Sequence, residues 1–124
     1  MRDYVEAIKN FSTTELERAV LQGSLSTGLN ACVECCDRWS KDGAVGLEWY
    51  GTPGEHKTVT FAQMRDSSAR FANYLSSQGI QSGDVVAGLL PRIPDLLTVI
   101  LGTWRIGAIY QPLFTAFGPA AIES

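Results

Sequence analysis

The strongest constraint on this chain is the stretch from Val85 to Pro119, VVAGLLPRIPDLLTVILGTWRIGAIYQPLFTAFGP. Val85 to Leu90 has no polar face at all. Strands of that kind are typical of a parallel sheet covered on both sides. Pro91-Arg92-Ile93-Pro94 reads as a stiff loop, with Pro94 suited to a first helical turn. The run from Pro94 to about Ile106 is apolar nearly all round, which predicts a buried helix ended by Gly107. Ala108 to Leu113 predicts a second strand, and Gly118-Pro119 restarts a helix. A segment apolar on every side needs cover on every side, yet the sequence ends soon after, at Ser124. The expectation is a chain truncated at its carboxyl end.

At 124 residues one domain with one core is expected. The net charge of −3, with Lys9, Lys41 and Lys57 far apart, argues against a nucleic-acid partner. Between Arg92 and Arg105 the longest charge-free run, Leu96 to Trp104, is too short to cross a bilayer, so no membrane association is expected. The opening residues show no apolar targeting core, and three cysteines without a secretory signal fit a reduced, cytoplasmic setting.

Upstream, residues 1–28 read as a peripheral helical arm. Tyr4, Ala7, Ile8 and Phe11 have helical spacing, Thr14 with Glu17 fits a capping box, and a second helix runs as far as Leu21. Asn30 caps a predicted helix from Ala31 to Ser40, with Cys32, Val33, Cys36 and Trp39 on its apolar face and Glu34, Asp37 and Arg38 on the other. Ala44 to Tyr50 and His56 to Val59 predict a hairpin around Gly51-Thr52-Pro53-Gly54. Thr60 and Gln63 form a second capping box, opening a helix to Gln78 with Phe61, Met64, Ser68, Phe71 and Leu75 as its buried stripe. From Thr60 the alternation of helix and strand argues for an α/β domain with a parallel sheet.

No catalytic constellation is present. His56 stands alone in a predicted turn and reads as a solvated residue. There is no Gly-x-x-x-x-Gly-Lys phosphate loop and no nucleophile elbow. Cys32, Cys35 and Cys36 are too few for a zinc site and lie mid-helix, so they read as structural. Trp39, Trp49 and Trp104 fall on separate elements and read as core. Topology offers one positive indication: in open α/β sheets ligands sit beyond the carboxyl ends of the strands. Two loops leave such ends, Pro91 to Pro94 and Phe114 to Gly118. In the second, Phe114 and Phe117 either fill the core or offer flat faces to a ring, and nothing in the pattern names the ligand.

Four stretches carry a family resemblance: Leu29 to Trp39; Leu47-Glu48-Trp49-Tyr50-Gly51 with Val59 to Met64; Gln78 to Val86; and Gly102 to Leu113, running on to Pro119. On these the chain resembles the amino-terminal part of the adenylate-forming (AMP-binding) superfamily, and within it the acetyl-CoA synthetase-like acyl-CoA synthetases. The implied fold class is α/β: amino-terminal helices and a hairpin followed by a doubly wound, mostly parallel sheet. The implied organisation is an arm over residues 1–28 and a partial amino-terminal subdomain over 29–124. The implied parent is an acid-thiol ligase that activates a short carboxylic acid with ATP to an acyl-adenylate, releasing pyrophosphate, and then transfers the acyl group to coenzyme A, using Mg. Its phosphate loop, its adenine, ribose and magnesium motifs and its catalytic lysine are absent from this sequence. No catalytic or metal residue is therefore assigned, and the chain alone is expected to be inactive. One binding assignment carries over: Phe114, Thr115 and Ala116 match the segment that lies against the coenzyme A nucleotide, where the family's small positions are typically glycine. The rival expectation is a freestanding, non-catalytic α/β binding or interaction module.

Overall fold

A computed structural model describes residues 4–116 and 118. The elements are α1 (Tyr4–Lys9), α2 (Thr13–Val20), α3 (Ala31–Cys35), a 3-10 turn (Asp37–Trp39), β1 (Val45–Tyr50), β2 (His56–Thr60), α4 (Phe61–Ser77), β3 (Val85–Gly88), α5 (Asp95–Arg105) and β4 (Ile109–Pro112).

The predicted capping box at Thr60 is present in full. Gln63 N–H donates to the Thr60 hydroxyl at 3.2 Å, and Thr60 N–H donates to the Gln63 side chain at 2.9 Å. β2 thus passes into α4 with no loop, and Phe61 N–H still donates to the carbonyl of Ala44, just before β1, at 3.0 Å. Met64, Ser68, Ala72 and Leu75 are buried along α4. α5 packs closely on α4: a side chain at Gly102 would stand 2.8 Å from the Phe71 ring and 2.9 Å from the Ser68 carbonyl. The core lies between α3, the hairpin, α4 and α5, with Cys32, Cys36, Met64 and Leu101 at its centre.

Two sheets of two strands form among the described residues. β1 and β2 pair antiparallel with a bulge between Val45 and Leu47. β3 and β4 pair parallel, Val85 opposite Ile109 and Gly88 opposite Pro112. The parallel pairing through a helical crossover is as the alternation predicts, within the α/β class expected. Among the described residues the expectation that β3 is covered on both faces is not met. Val86 and Gly88 are covered, whereas Val85 is 55% exposed and Ala87 is exposed. In β4 Ile109 is likewise 55% exposed. A single helix, α5, can cover only one face of the pair. For the same reason only Leu101, Gly102 and Thr103 of α5 are fully buried.

Three local expectations are corrected. The cap of α2 is Ser12, whose hydroxyl accepts from Glu15 N–H at 3.3 Å, because Ser12 to Glu15 repeats the same box pattern two residues earlier. Glu17, assigned to that cap from sequence, instead accepts from Leu25 N–H at 2.8 Å. The helix from Ala31 breaks at Cys36, where φ is −132° and ψ is −63°. The tighter 3-10 turn that follows changes the helical phase and leaves Trp39 51% exposed, off the apolar face. His56 opens β2, as the hairpin reading has it and against the turn reading; its ring stacks on Tyr50 at 4.5 Å and its Nε2 meets the Glu48 carboxylate. The predicted helix restart at Gly118-Pro119 and the residue Phe117 lie outside what the structure describes, apart from Gly118 itself, which is exposed.

Candidate functional site

The parallel pair sets the geometry of the site. β3 and β4 run in register to Gly88 and Pro112, and Leu113 N–H adds one more bond to the Gly88 carbonyl at 2.9 Å. Gly88 is small because the Tyr110 ring lies on it; a side chain there would meet the Tyr110 hydroxyl at 2.4 Å. Both predicted loops therefore leave the same end of one sheet, where an α/β fold places its ligands. The loop after β3 is anchored from outside, Trp49 Nε1–H donating to the Arg92 carbonyl at 2.7 Å across from the hairpin. The loop after β4 presents Phe114, 60% exposed, with Thr115 and Ala116 exposed beside it. Phe114 is thus more than half exposed and does not fill the core. Phe114, Thr115 and Ala116 carry no cation, so this loop can stack on a ring and offer peptide groups, but cannot neutralise a phosphate.

A second polar cluster holds these elements in place. Arg105 donates to both oxygens of Asp37 at 2.7 Å, a bidentate pair, and to the Ser68 hydroxyl at 3.0 Å. That hydrogen bonding raises the Arg105 pKa further above its ordinary value. Asn30 caps two helices with one side chain. Its Oδ1 accepts from Cys32 and Val33 N–H at the start of α3, while its Nδ2 donates to the Trp104 and Arg105 carbonyls at the end of α5. Burial raises the Cys32 thiol pKa and pushes Cys36 up to about 11. Both thiols stay protonated at neutral pH, which fits packing and not nucleophilic chemistry. Cys35 is exposed.

Sequence reasoning placed Asn30 as a cap but missed its second helix, and placed Asp37 on the wet face. Arg105 lies 68 residues from Asp37, and no local pattern signals a pair that distant. Among the described residues no group of three or more His, Cys, Asp or Glu is arranged to hold a metal ion. Among them, too, no helix is long and apolar enough to cross a membrane.

With this geometry in hand, the comparisons with known proteins are specific. The profile described as AMP-binding enzyme matches residues 34–124. Acetyl-coenzyme A synthetase of Shewanella sediminis is 36% identical over 99 residues, 77% of this chain and 15% of that protein. The enzyme of the same name from Pseudoalteromonas translucida is 40% identical over 97 residues, 76% of this chain and 15% of that protein. Among solved structures, an acyl-CoA synthetase from Brucella canis superposes with a TM-score of 0.93 at 51% identity, over 99% of this chain and 22% of that one. An acetoacetyl-CoA synthetase from Streptomyces lividans superposes with a TM-score of 0.62 at 28% identity, over 66% of this chain and 13% of that one. The chain therefore spans about 15% of the length of the curated relatives it matches.

Proposed function

This chain belongs to the AMP-binding enzyme family, and from that premise we propose that it is the amino-terminal part of an AMP-forming acyl-CoA synthetase. The observation that carries the reading is the superposition of 99% of the chain on the Brucella canis acyl-CoA synthetase at 51% identity. The reaction is carboxylic acid plus ATP to acyl-adenylate and pyrophosphate, then acyl-adenylate plus coenzyme A to acyl-CoA and AMP. A short acid of the acetate type is favoured by the relatives named acetyl-coenzyme A synthetase. The setting is cytoplasmic, with small-molecule partners and no nucleic acid.

In this reading the chain supplies part of the coenzyme A nucleotide site. Phe114 stacks on the adenine ring, with Thr115 and Ala116 alongside. Their side chains hold the ligand further from the backbone than glycine would. The phosphates need cations from elsewhere, since the loop has none. ATP and Mg supply activation of the acid, and the residues described here do not form their site. The chain by itself is consequently inactive.

The test replaces the matching segment of the Brucella canis enzyme with this chain. Pyrophosphate release with ATP and acetate, and AMP release with coenzyme A added, should stay within about tenfold of the parent, while the isolated chain releases neither. Phe114→Ala in that chimera should raise KM for coenzyme A by about tenfold and leave adenylate formation unchanged. A folded chimera that forms no acyl-adenylate sinks the synthetase reading. Turnover by the isolated chain sinks the claim of inactivity.

A further inference from the structure

α1 and α2 bring their backbones alongside no other element among the described residues. Tyr4, Ile8, Phe11, Leu16 and Val20 are all exposed. Two side chains tie the end of this arm to the body, Glu34 on α3 and Arg38 on the 3-10 turn. The Glu34 side chain is only 9% exposed. Its Oε1 accepts from Gly23 N–H at 2.7 Å and from Gln22 N–H at 3.0 Å. Its Oε2 accepts from Gln22 N–H at 3.1 Å and from Arg38 Nη1 at 2.8 Å. Arg38 also donates to the Val20 carbonyl at the end of α2. The two side chains grip the peptide groups on both sides of Leu21. From the arm, Glu17 closes the following turn through Leu25 N–H at 2.8 Å and the Ser24 hydroxyl at 3.2 Å.

These bonds are strongest to an ionised carboxylate, because both Glu34 oxygens accept and protonation turns one of them into a donor. Three peptide and guanidinium donors converge on Glu34, and bonds to a charged acceptor are roughly twice as strong as neutral ones. The groups facing it are the Gln22 and Gly23 peptides from the loop and the Arg38 guanidinium from the 3-10 turn. We propose that Glu34 is a proton-sensitive clasp, and that residues 4–23 are a strap that leaves the body when Glu34 is protonated while the α3–β4 body stays folded.

The direction in pH follows from the same bonds. The Gly23 and Gln22 peptides, with Arg38, hold Glu34 below its ordinary value of 4.5. A carboxyl lowered in the folded state stabilises attachment above its ordinary value and loses that contribution as pH falls through the lower one.

Two measurements on the 124-residue chain test the clasp. At pH 8, trypsin cleavage after Arg18 should be at least about tenfold faster in Glu34→Gln than in wild type, since cleavage tracks local opening. The Gly88 amide resonance in β3 should be unchanged in that variant. In wild type, the Gln22 and Gly23 amides should titrate together with a midpoint below 4.5, with the Gly88 amide still native there. Equal cleavage rates overturn the proposal. So does loss of the Gly88 signal together with that of Gly23, because strap and body would then open as one. If Glu34→Gln does not fold, the wild-type titration decides alone.

Discussion

Tyr110 carries a hydroxyl that is buried and has no hydrogen-bond partner among the described residues. Its ring is well used, lying over Gly88 at the carboxyl end of β3. Ring and hydroxyl therefore pull in opposite directions. An unmet buried hydroxyl costs about 1–3 kcal/mol, whereas the ring's packing is the same in phenylalanine. Tyr110→Phe should accordingly stabilise the chain by about 1 kcal/mol, read as a higher urea midpoint at unchanged slope. A lower midpoint would show that the hydroxyl has a partner. Arg105 is the contrasting case. Its Nε is likewise buried without a partner among the described residues, but its two terminal nitrogens are paired with Asp37. Removing either member of that pair strands the other, so no gain is expected there.

At the scale of the element, the legible features were those whose signal is local. The box at Thr60 and Gln63 uses two side chains three residues apart, and both bonds are present. Thr60→Ala removes the acceptor for Gln63 N–H where strand passes directly into α4, and should cost about 1 kcal/mol. Thermal melting followed at 222 nm measures it; Thr60→Ser should recover most of the loss, and an unchanged melting temperature in Thr60→Ala would show that the cap is dispensable. The hairpin and the parallel β3–β4 pair were legible for the same local reason, through turn residues and apolar runs. What was not legible depends on partners far along the chain or on equal local alternatives. Ser12 and Thr14 both begin the same box pattern, and the loop that recruits Glu17 decided between them. The helical spacing that put Trp39 on the apolar face assumed one continuous helix, and the break at Cys36 rotated it out. Topology pointed to the Phe114 to Gly118 loop and Asn30 read as the cap of α3, but the hold of Asn30 on the end of α5 and the Asp37–Arg105 pair, which fix the helix leading to that loop, were not legible.

For the molecule as a whole, the bare face of the β3–β4 sheet decides what company the chain keeps. Val85 and Ile109 stand opposite each other in register, and both are more than half exposed on the side away from the covered Val86 and Gly88. Leu89, 49% exposed, and Phe114 extend the apolar surface past the ends of the strands. A two-stranded parallel sheet bare on one side is poor company for water, since parallel sheets are stable when covered on both faces. The Brucella canis synthetase holds the same shape in a chain of which this one covers 22%, so that chain has the material to cover such a face. Inside the chimera, amides at residues 85–88 and 109–112 should therefore exchange at least about tenfold more slowly than in the isolated chain, because further strands and cover close the open edges. Val85→Glu supplies the second arm. Val85 is 55% exposed in the isolated chain, so there the charge should move stability by less than about 0.5 kcal/mol. In the chimera the same glutamate is buried without a partner and should cost several kcal/mol, seen as loss of soluble protein or a collapsed melting temperature. Equal exchange in both contexts, or a Val85→Glu chimera as stable as its parent, would mean that the face stays wet in the whole enzyme.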